Sequence, residues 1–216
     1  MEALSLAAVA ECVREGRPKR IAEIVQGLLG EGVGAAAILD GALLPAMAAV
    51  GEKMRTGEMY LPEVLQSASA MQAAMEVLKP LLARADLQPS GRVLLGTVKG
   101  DIHDIGKNLV GIMLRGAGFD VVDAGVQVSA ARFVEEVRRH GPDLVGLSAM
   151  LTTTMANMKP VIDALAAAGL RDRVRVMVGG APVTERFAAG IGADGYARDA
   201  VRAVDEARRL LALSPR

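Results

Sequence analysis

The sequence predicts an α/β protein in two parts. An N-terminal four-helix bundle spans residues 1–87, and a C-terminal doubly wound domain with a parallel five-stranded sheet spans residues 91–216. Three observations carry that expectation. Before residue 88, apolar residues recur at helical spacing. After it, short β-branched runs alternate with helical stretches. Between the two lies Asp86-Leu-Gln-Pro-Ser-Gly91, which has the composition of a linker.

In the first part, Leu4, Ala8 and Cys12 mark one helix face, and Gly16-Arg17-Pro18 ends that helix. Ile21, Ile24, Val25 and Leu28 mark the second helix. The segment Gly30 to Gly34 separates it from a third, about 35–55. Pro62 opens a fourth at its first turn, where a missing N–H costs nothing. That helix carries Val64, Leu65, Ala68, Met71, Met75 and Leu78 and ends between Pro80 and Asp86. Four short helices with brief connections make a small bundle.

In the second part, strands are expected at Val93–Val98, Val121–Val122, Leu144–Leu147 and Val174–Val178 and around Tyr196. Helices are expected at about 106–116, 130–140, 154–168, 184–190 and 199–212. Strand–helix alternation implies parallel strands with helices on both faces. Five such units match a flavodoxin-like domain, whose ligands sit outside the carboxyl ends of the strands at the switch point.

The composition narrows the function. Apolar residues make up 51% and aromatics 2%, with no Trp and 11 Met, so the core is built from aliphatic side chains. Lys plus Arg and Asp plus Glu are 25 each, which leaves no basic field for nucleic acid. No uninterrupted apolar run reaches the roughly 18–20 residues of a bilayer span, so no membrane partner is expected. The first residues lack a basic stretch and read as an amphipathic helix rather than a signal peptide. Cys12 is the single cysteine, which excludes an internal disulfide and a cysteine metal cluster. The cytoplasm is the default expectation.

The loop after the first strand, Lys99-Gly100-Asp101-Ile102-His103-Asp104-Ile105-Gly106-Lys107-Asn108, stands where a doubly wound fold places its ligand. It holds one of two histidines. Neither nucleotide-binding glycine pattern is present. A polar surface loop is one reading. In the other, Asp101 holds one ring nitrogen of His103 and leaves the second free for a metal. Hydroxyls follow the third strand at Ser148, Thr152, Thr153 and Thr154, either capping the next helix or bonding a ligand. Gly179-Gly180 follow the fourth strand, marking a turn or a close backbone approach. His140 is expected to face a helix C-terminal dipole. Cys12 is expected in the core, and Arg202 to Arg209 on a solvated helix face.

Asp101-x-His103-x-x-Gly106, Ser148-x-Met150 and Gly179-Gly180 together resemble the signature of cobalamin-binding proteins. The match covers the corrinoid proteins of methyltransferase systems and the cobalamin-binding module of methionine synthase. Met150 stands where the pattern has Leu. In the helical half, Gly51 to Glu63 resembles the cap segment of those proteins, so the resemblance covers nearly the whole chain.

It implies a methyl carrier, not catalytic alone, that binds cobalamin or a related corrinoid with its own base detached and His103 as lower cobalt ligand. The cofactor would alternate between cob(I)alamin and methylcobalamin. Asp101 would orient His103, and Thr154, where relatives usually have Ser, would complete a relay. Gly100, Ile102, Asp104, Ile105 and Gly106 would contact the cofactor around His103. Ser148, Met150, Thr152, Gly179, Gly180 and Ala200 would contact it too, with the glycines admitting its nucleotide tail. Met54 and Leu61 would shield the methyl group. The implied partners are a substrate-specific methyltransferase, an acceptor methyltransferase serving a thiol or tetrahydrofolate, and a reductive activator.

Two other classes share such domains. A cobalamin-dependent sensor usually places a histidine in its bundle, and none precedes His103 here. A mutase small subunit usually lacks the helical part.

Overall fold

The computed structural model describes residues 4–84 and 89–212. The chain divides into two compact units, Met1–Gln88 with Gly116–Gly118 and Pro89–Arg115 with Phe119–Arg216. Part of the expected linker, residues 86–88, lies outside the described residues.

The first unit is helical throughout. It contains α1 (Leu6–Arg14), α2 (Pro18–Gly30), α3 (Ala35–Ile38), α4 (Leu44–Thr56) and α5 (Leu61–Arg84). Ser5 caps α1 by accepting from Ala8 N at 3.1 Å. Glu63 reaches back to Tyr60 N at 2.8 Å at the start of α5, half of a capping box. A five-residue π turn, Leu39–Leu43, joins α3 to α4, so the expected third helix is one stretch, Ala35–Thr56. Pro45, which has no N–H to donate, follows the turn, and the buried Ala42 and Met47 stand five residues apart across it rather than the three or four of a regular helix. By length and composition this stretch could cross a bilayer, although Asp40, Glu52, Lys53 and Arg55 keep it from being an uninterrupted apolar run. Its apolar side is nonetheless part of the bundle core. Pro80 does not end α5, which continues to Arg84. Cys12 is buried, as expected.

The second unit has strands β1 (Arg92–Thr97), β2 (Asp120–Asp123), β3 (Leu144–Ser148), β4 (Arg175–Gly179) and β5 (Gly195–Ala197). They form one parallel sheet in the order β2-β1-β3-β4-β5. This is the flavodoxin-like order, with the switch point between β1 and β3. The helices are α6 (Ile105–Gly116), α7 (Ala130–His140), α8 (Thr152–Met155), α9 (Met158–Ala167), α10 (Glu185–Gly190) and α11 (Ala200–Leu210). The single helix expected at 154–168 is therefore two, α8 and α9.

Alternate residues of the central strands set the core. Leu94, Val145, Leu147, Val176 and Val178 pack with Phe133 and Val137 of α7 and with Met158, Val161 and Leu165 of α9. His140 is paired with the buried Glu136 at 3.0 Å, so it has a side-chain partner in addition to the helix terminus. On α11, Ala203, Val204 and Ala207 are buried, so only part of the stretch 202–209 is a solvated face.

Glu206 meets the backbone of Tyr196 on β5 and pairs within α11 with Arg209. Arg209 donates to both its oxygens at 2.7 Å, and the Glu206 side chain is only 18% exposed. The Arg209 hydrogen bonds hold the Glu206 carboxyl below its ordinary value of 4.5, against the opposing effect of burial. A depressed carboxyl stabilises the fold above its unfolded pKa and loses that contribution as pH falls through the folded value. Glu206→Gln should therefore cost about 1 kcal/mol at neutral pH, since Arg209 is open to solvent. The difference from wild type in urea midpoint should shrink as pH falls below 4.5. A difference that is constant with pH would show that the charge contributes nothing.

Candidate functional site

The carboxyl ends of β1, β3, β4 and β5 converge on one rim, and the sequence motifs all fall there. After β1 the chain turns through Gly100 and presents Asp101 to Asp104 before α6 begins at Ile105. After β3 come Ala149, Met150 and α8. Gly179 ends β4 and Gly180 follows it, and just after β5 comes Ala200, buried at the start of α11.

Asp101 ties the first two of these ends together across the switch point. Its side chain is fully buried. Oδ1 accepts from His103 N at 3.0 Å and lies 2.7 Å from His103 Nδ1. Oδ2 accepts from Met150 N at 2.7 Å and from Thr154 Oγ1 at 2.6 Å. Four partners use the capacity of a carboxylate. Burial pushes this carboxyl up, but the bonds from Thr154, Met150 and His103 outweigh it and hold it below the ordinary carboxylate range. An ionised Asp101 can only accept, so Nδ1 carries the proton and Nε2 of a neutral His103 keeps its lone pair. The His103 side chain is 50% exposed.

Thr154 lies on α8 rather than on the strand, and its buried hydroxyl still meets Asp101. The N–H of Met150 makes the contact to Asp101, while its side chain is exposed; this is why Met can stand where the family pattern has Leu. Among the described large apolar residues of this unit, Ile102, Ile105, Val126, Met150 and Leu151 are the exposed ones, and all five lie on loops or helix starts that follow the carboxyl ends of β1, β2 and β3. Asp104 accepts from Asn108 Nδ2 at 3.0 Å. Ser148 ends β3, and Thr152 begins α8 on the surface. Met54 and Leu61 belong to the helical unit, half-buried on either side of the turn between α4 and α5.

The glycines divide in two. A Cβ at Gly180 would lie 1.8 Å from Ala149 O, with φ at +126°, and one at Gly179 would lie 2.8 Å from Ala197 O. Both are demanded by neighbouring strand ends, the close backbone approach that is one of the expectations for this pair. Gly106 is the reverse case, with nothing within 4 Å of its Cβ position.

Several partners were not singled out in the sequence. Thr97 Oγ1 donates to His103 O at 2.9 Å, and Gln127 N donates to Asp101 O at 3.0 Å from a left-handed backbone. Thr97 carries a faint signal, a polar residue ending an apolar strand. Gln127 acts through its backbone and carries none.

The donor set suits a metal that arrives in its own macrocycle. Among the described residues no group of three or more His, Cys, Asp or Glu could hold an ion. One imidazole would supply one donor, and the exposed apolar side chains around it would offer a greasy floor for a flat ring system. The residues present fit a corrinoid. A profile of the B12 binding domain matches residues 91–205, and a second B12 binding domain profile matches residues 6–79. The chain belongs to the B12-binding family. A corrinoid protein of Desulfitobacterium hafniense is 38% identical over 93% of this chain and 94% of its own length. The dimethylamine corrinoid protein of Methanosarcina barkeri is 44% identical over 81% of this chain and 83% of its own. The solved methanol:cobalamin methyltransferase complex of Methanosarcina barkeri contains a chain similar to this one. The TM-score is 0.87 at 30% identity, over 97% of this chain and 80% of that one. This B12-binding protein takes a cobalamin-type corrinoid as its cofactor.

The strand-end geometry makes Gly180→Ala a stability test. Contact at 1.8 Å cannot be relieved by a rotamer, because the obstacle is backbone. Overpacking and a strained φ together should cost about 2–5 kcal/mol, read as a fall of about 5–15 °C in Tm without cofactor. An unchanged Tm would show that β3 and β4 do not meet this closely.

Proposed function

We propose that this B12-binding protein carries a methyl group between two partner enzymes, with Nε2 of His103 as the lower ligand to cobalt. The observation that carries the reading is His103 held at Nδ1 by a buried carboxylate, in the middle of an exposed apolar rim. When bound, the corrinoid supplies a cobalt nucleophile that accepts a methyl group from one partner's substrate and yields it to another's.

The chain's own residues bind, orient and hold a proton. Asp101 fixes the ring plane and tautomer of His103, and Thr154 and the Met150 N–H fix Asp101. Ile102, Ile105, Met150 and Leu151 displace water from the lower face. Gly106 leaves room beside the ligand. Ser148, Thr152, Gly179, Gly180 and Ala200 surround the entrance proposed for the nucleotide tail. Met54 and Leu61 are proposed as the apolar shield of the exchanging group, on the resemblance of residues 51–63 to a cap segment. The partners are a substrate-specific methyltransferase, an acceptor methyltransferase and a reductive activator. The relatives' dimethylamine, trimethylamine and methanol systems point to small N- or O-methyl compounds as the ultimate donors.

Protein mixed with hydroxocobalamin should retain about one corrin per chain through desalting, with the absorption spectrum of a detached nucleotide base and a histidine ligand. His103→Ala should retain the corrin and lose the histidine-ligated spectrum. Colourless protein, or an unchanged spectrum in the variant, would defeat the reading.

Gly106 separates the ligand's demands from the fold's. Gly106→Ala should leave Tm without cofactor unchanged, since its Cβ meets open space. It should weaken cobalamin binding about tenfold or more by intruding beside the axial ligand. Equal affinity in titrations of the two proteins would remove Gly106 from the site.

A further inference from the structure

Lys107 is an anomaly that the methyl-carrier reading leaves unexplained. Its side chain is 3% exposed. It stands in the first turn of α6, where the helix dipole disfavours a cation. A buried ammonium must be paired, and an apolar residue of similar volume would serve local stability better. The pairing it has runs on both sides of the histidine loop.

On one side, Lys107 Nζ donates to Asn108 Oδ1 at 2.7 Å. Asn108 Nδ2 donates in turn to Asp104 Oδ2 at 3.0 Å, one residue past His103. On the other side, Nζ pairs with Asp123 Oδ2 at 2.5 Å, at the end of β2. Asp123 Oδ1 accepts from Gly125 N at 2.8 Å. The turn so fixed delivers Gln127 N to Asp101 O at 3.0 Å, two residues before His103. The loop 101–104 is therefore held at both ends by connections that meet at one buried ammonium.

We propose that Lys107, through Asp123 and through Asn108–Asp104, is a positioning residue that fixes the height of the His103 loop and so governs how fully His103 ligates cobalt. The inference rests on His103 being the cobalt ligand. Lys107 itself touches neither the histidine nor the corrin face. Without the tie, the turn 124–127 and the start of α6 lose their common anchor. Nε2 then sits on a loop free to withdraw, and the axial bond is made by a smaller fraction of molecules.

The test is electron paramagnetic resonance of the full chain loaded with cob(II)alamin, in which an axial nitrogen splits each cobalt line into a triplet. Wild type should show the triplet and His103→Ala should lack it. Lys107→Met has space to settle, because a cleft of about 160 Å³ lined by Leu95, Lys107, Gly111, Arg115, Val121 and Asp123 adjoins the side chain. It should bind the same amount of corrin by absorbance. Its triplet fraction should fall at least about threefold, less than the roughly 10–100-fold effects of groups that touch a ligand directly. Asp123→Asn, which is partly exposed, should shift the signal in the same direction and serves if Lys107→Met does not fold. Full triplets in both variants overturn the proposal while leaving His103 as ligand. Unfolding of both makes the tie purely structural and also overturns it. A wild type without the triplet, or a His103→Ala protein that keeps it, defeats the ligand assignment itself.

Discussion

The rim of this sheet depends on one buried carboxylate. Asp101 stands after β1, and its partners come from its own loop and from the chain that follows β3. Burying a charge without partners costs several kcal/mol, so the site can exist only where four donors converge. The doubly wound topology provides that place. At the switch point the chains leaving β1 and β3 diverge, and the gap between them is where a side chain from one can collect N–H and O–H groups from the other. His103 is the visible product, but its orientation is a consequence of Asp101, and the orientation of Asp101 is a consequence of strand order.

The same constraint accounts for the close approach of β3 and β4. Ala149 N donates to Gly179 O at 3.2 Å, and Gly180 passes against Ala149 O where no side chain fits. Met150, the next residue, has its N–H aimed at Asp101. The glycine pair thus sets where the β3 end lies, and through Met150 it sets the carboxylate. A motif that reads as a ligand-binding glycine pair is also a packing requirement two strands away from the histidine.

Much of this was legible in the sequence. The central strands β1, β3 and β4 announce themselves as Val- and Leu-rich runs because parallel strands are buried on both faces and need such residues, whereas β5, Gly195–Ala197, has no β-branched residue. His103, Asp101 and Thr154 are legible because their function resides in side chains. The missing parts share one physical cause. The Met150 and Gln127 N–H groups, and the carbonyls of Asp101 and His103, are identical in every residue, so no letter marks them. The π turn at Leu39–Leu43 left a trace in Pro45 and in the five-residue step from Ala42 to Met47, too slight to separate from an ordinary helix without the backbone. Thr154 reaches Asp101 from α8, because β3 ends at Ser148 and the turn that follows delivers the hydroxyl. Lys107 left a trace, a cation on the inward face of α6, but its partner Asp123 lies on another element and no spacing rule connects them.

The chemistry of the rim also fixes the division of labour. A catalyst acting alone needs a nucleophile, an acid or base beside it, and a pocket shaped to the reacting molecule. This rim offers a single imidazole with one open nitrogen, a carboxylate already saturated by four bonds, and exposed Ile, Met and Leu side chains. That set suits the underside of a large apolar-faced cofactor, whose chemistry is its own. The methyl-carrier role fits such a rim, because a carrier that works with methyltransferases can leave recognition of the methyl donor to them.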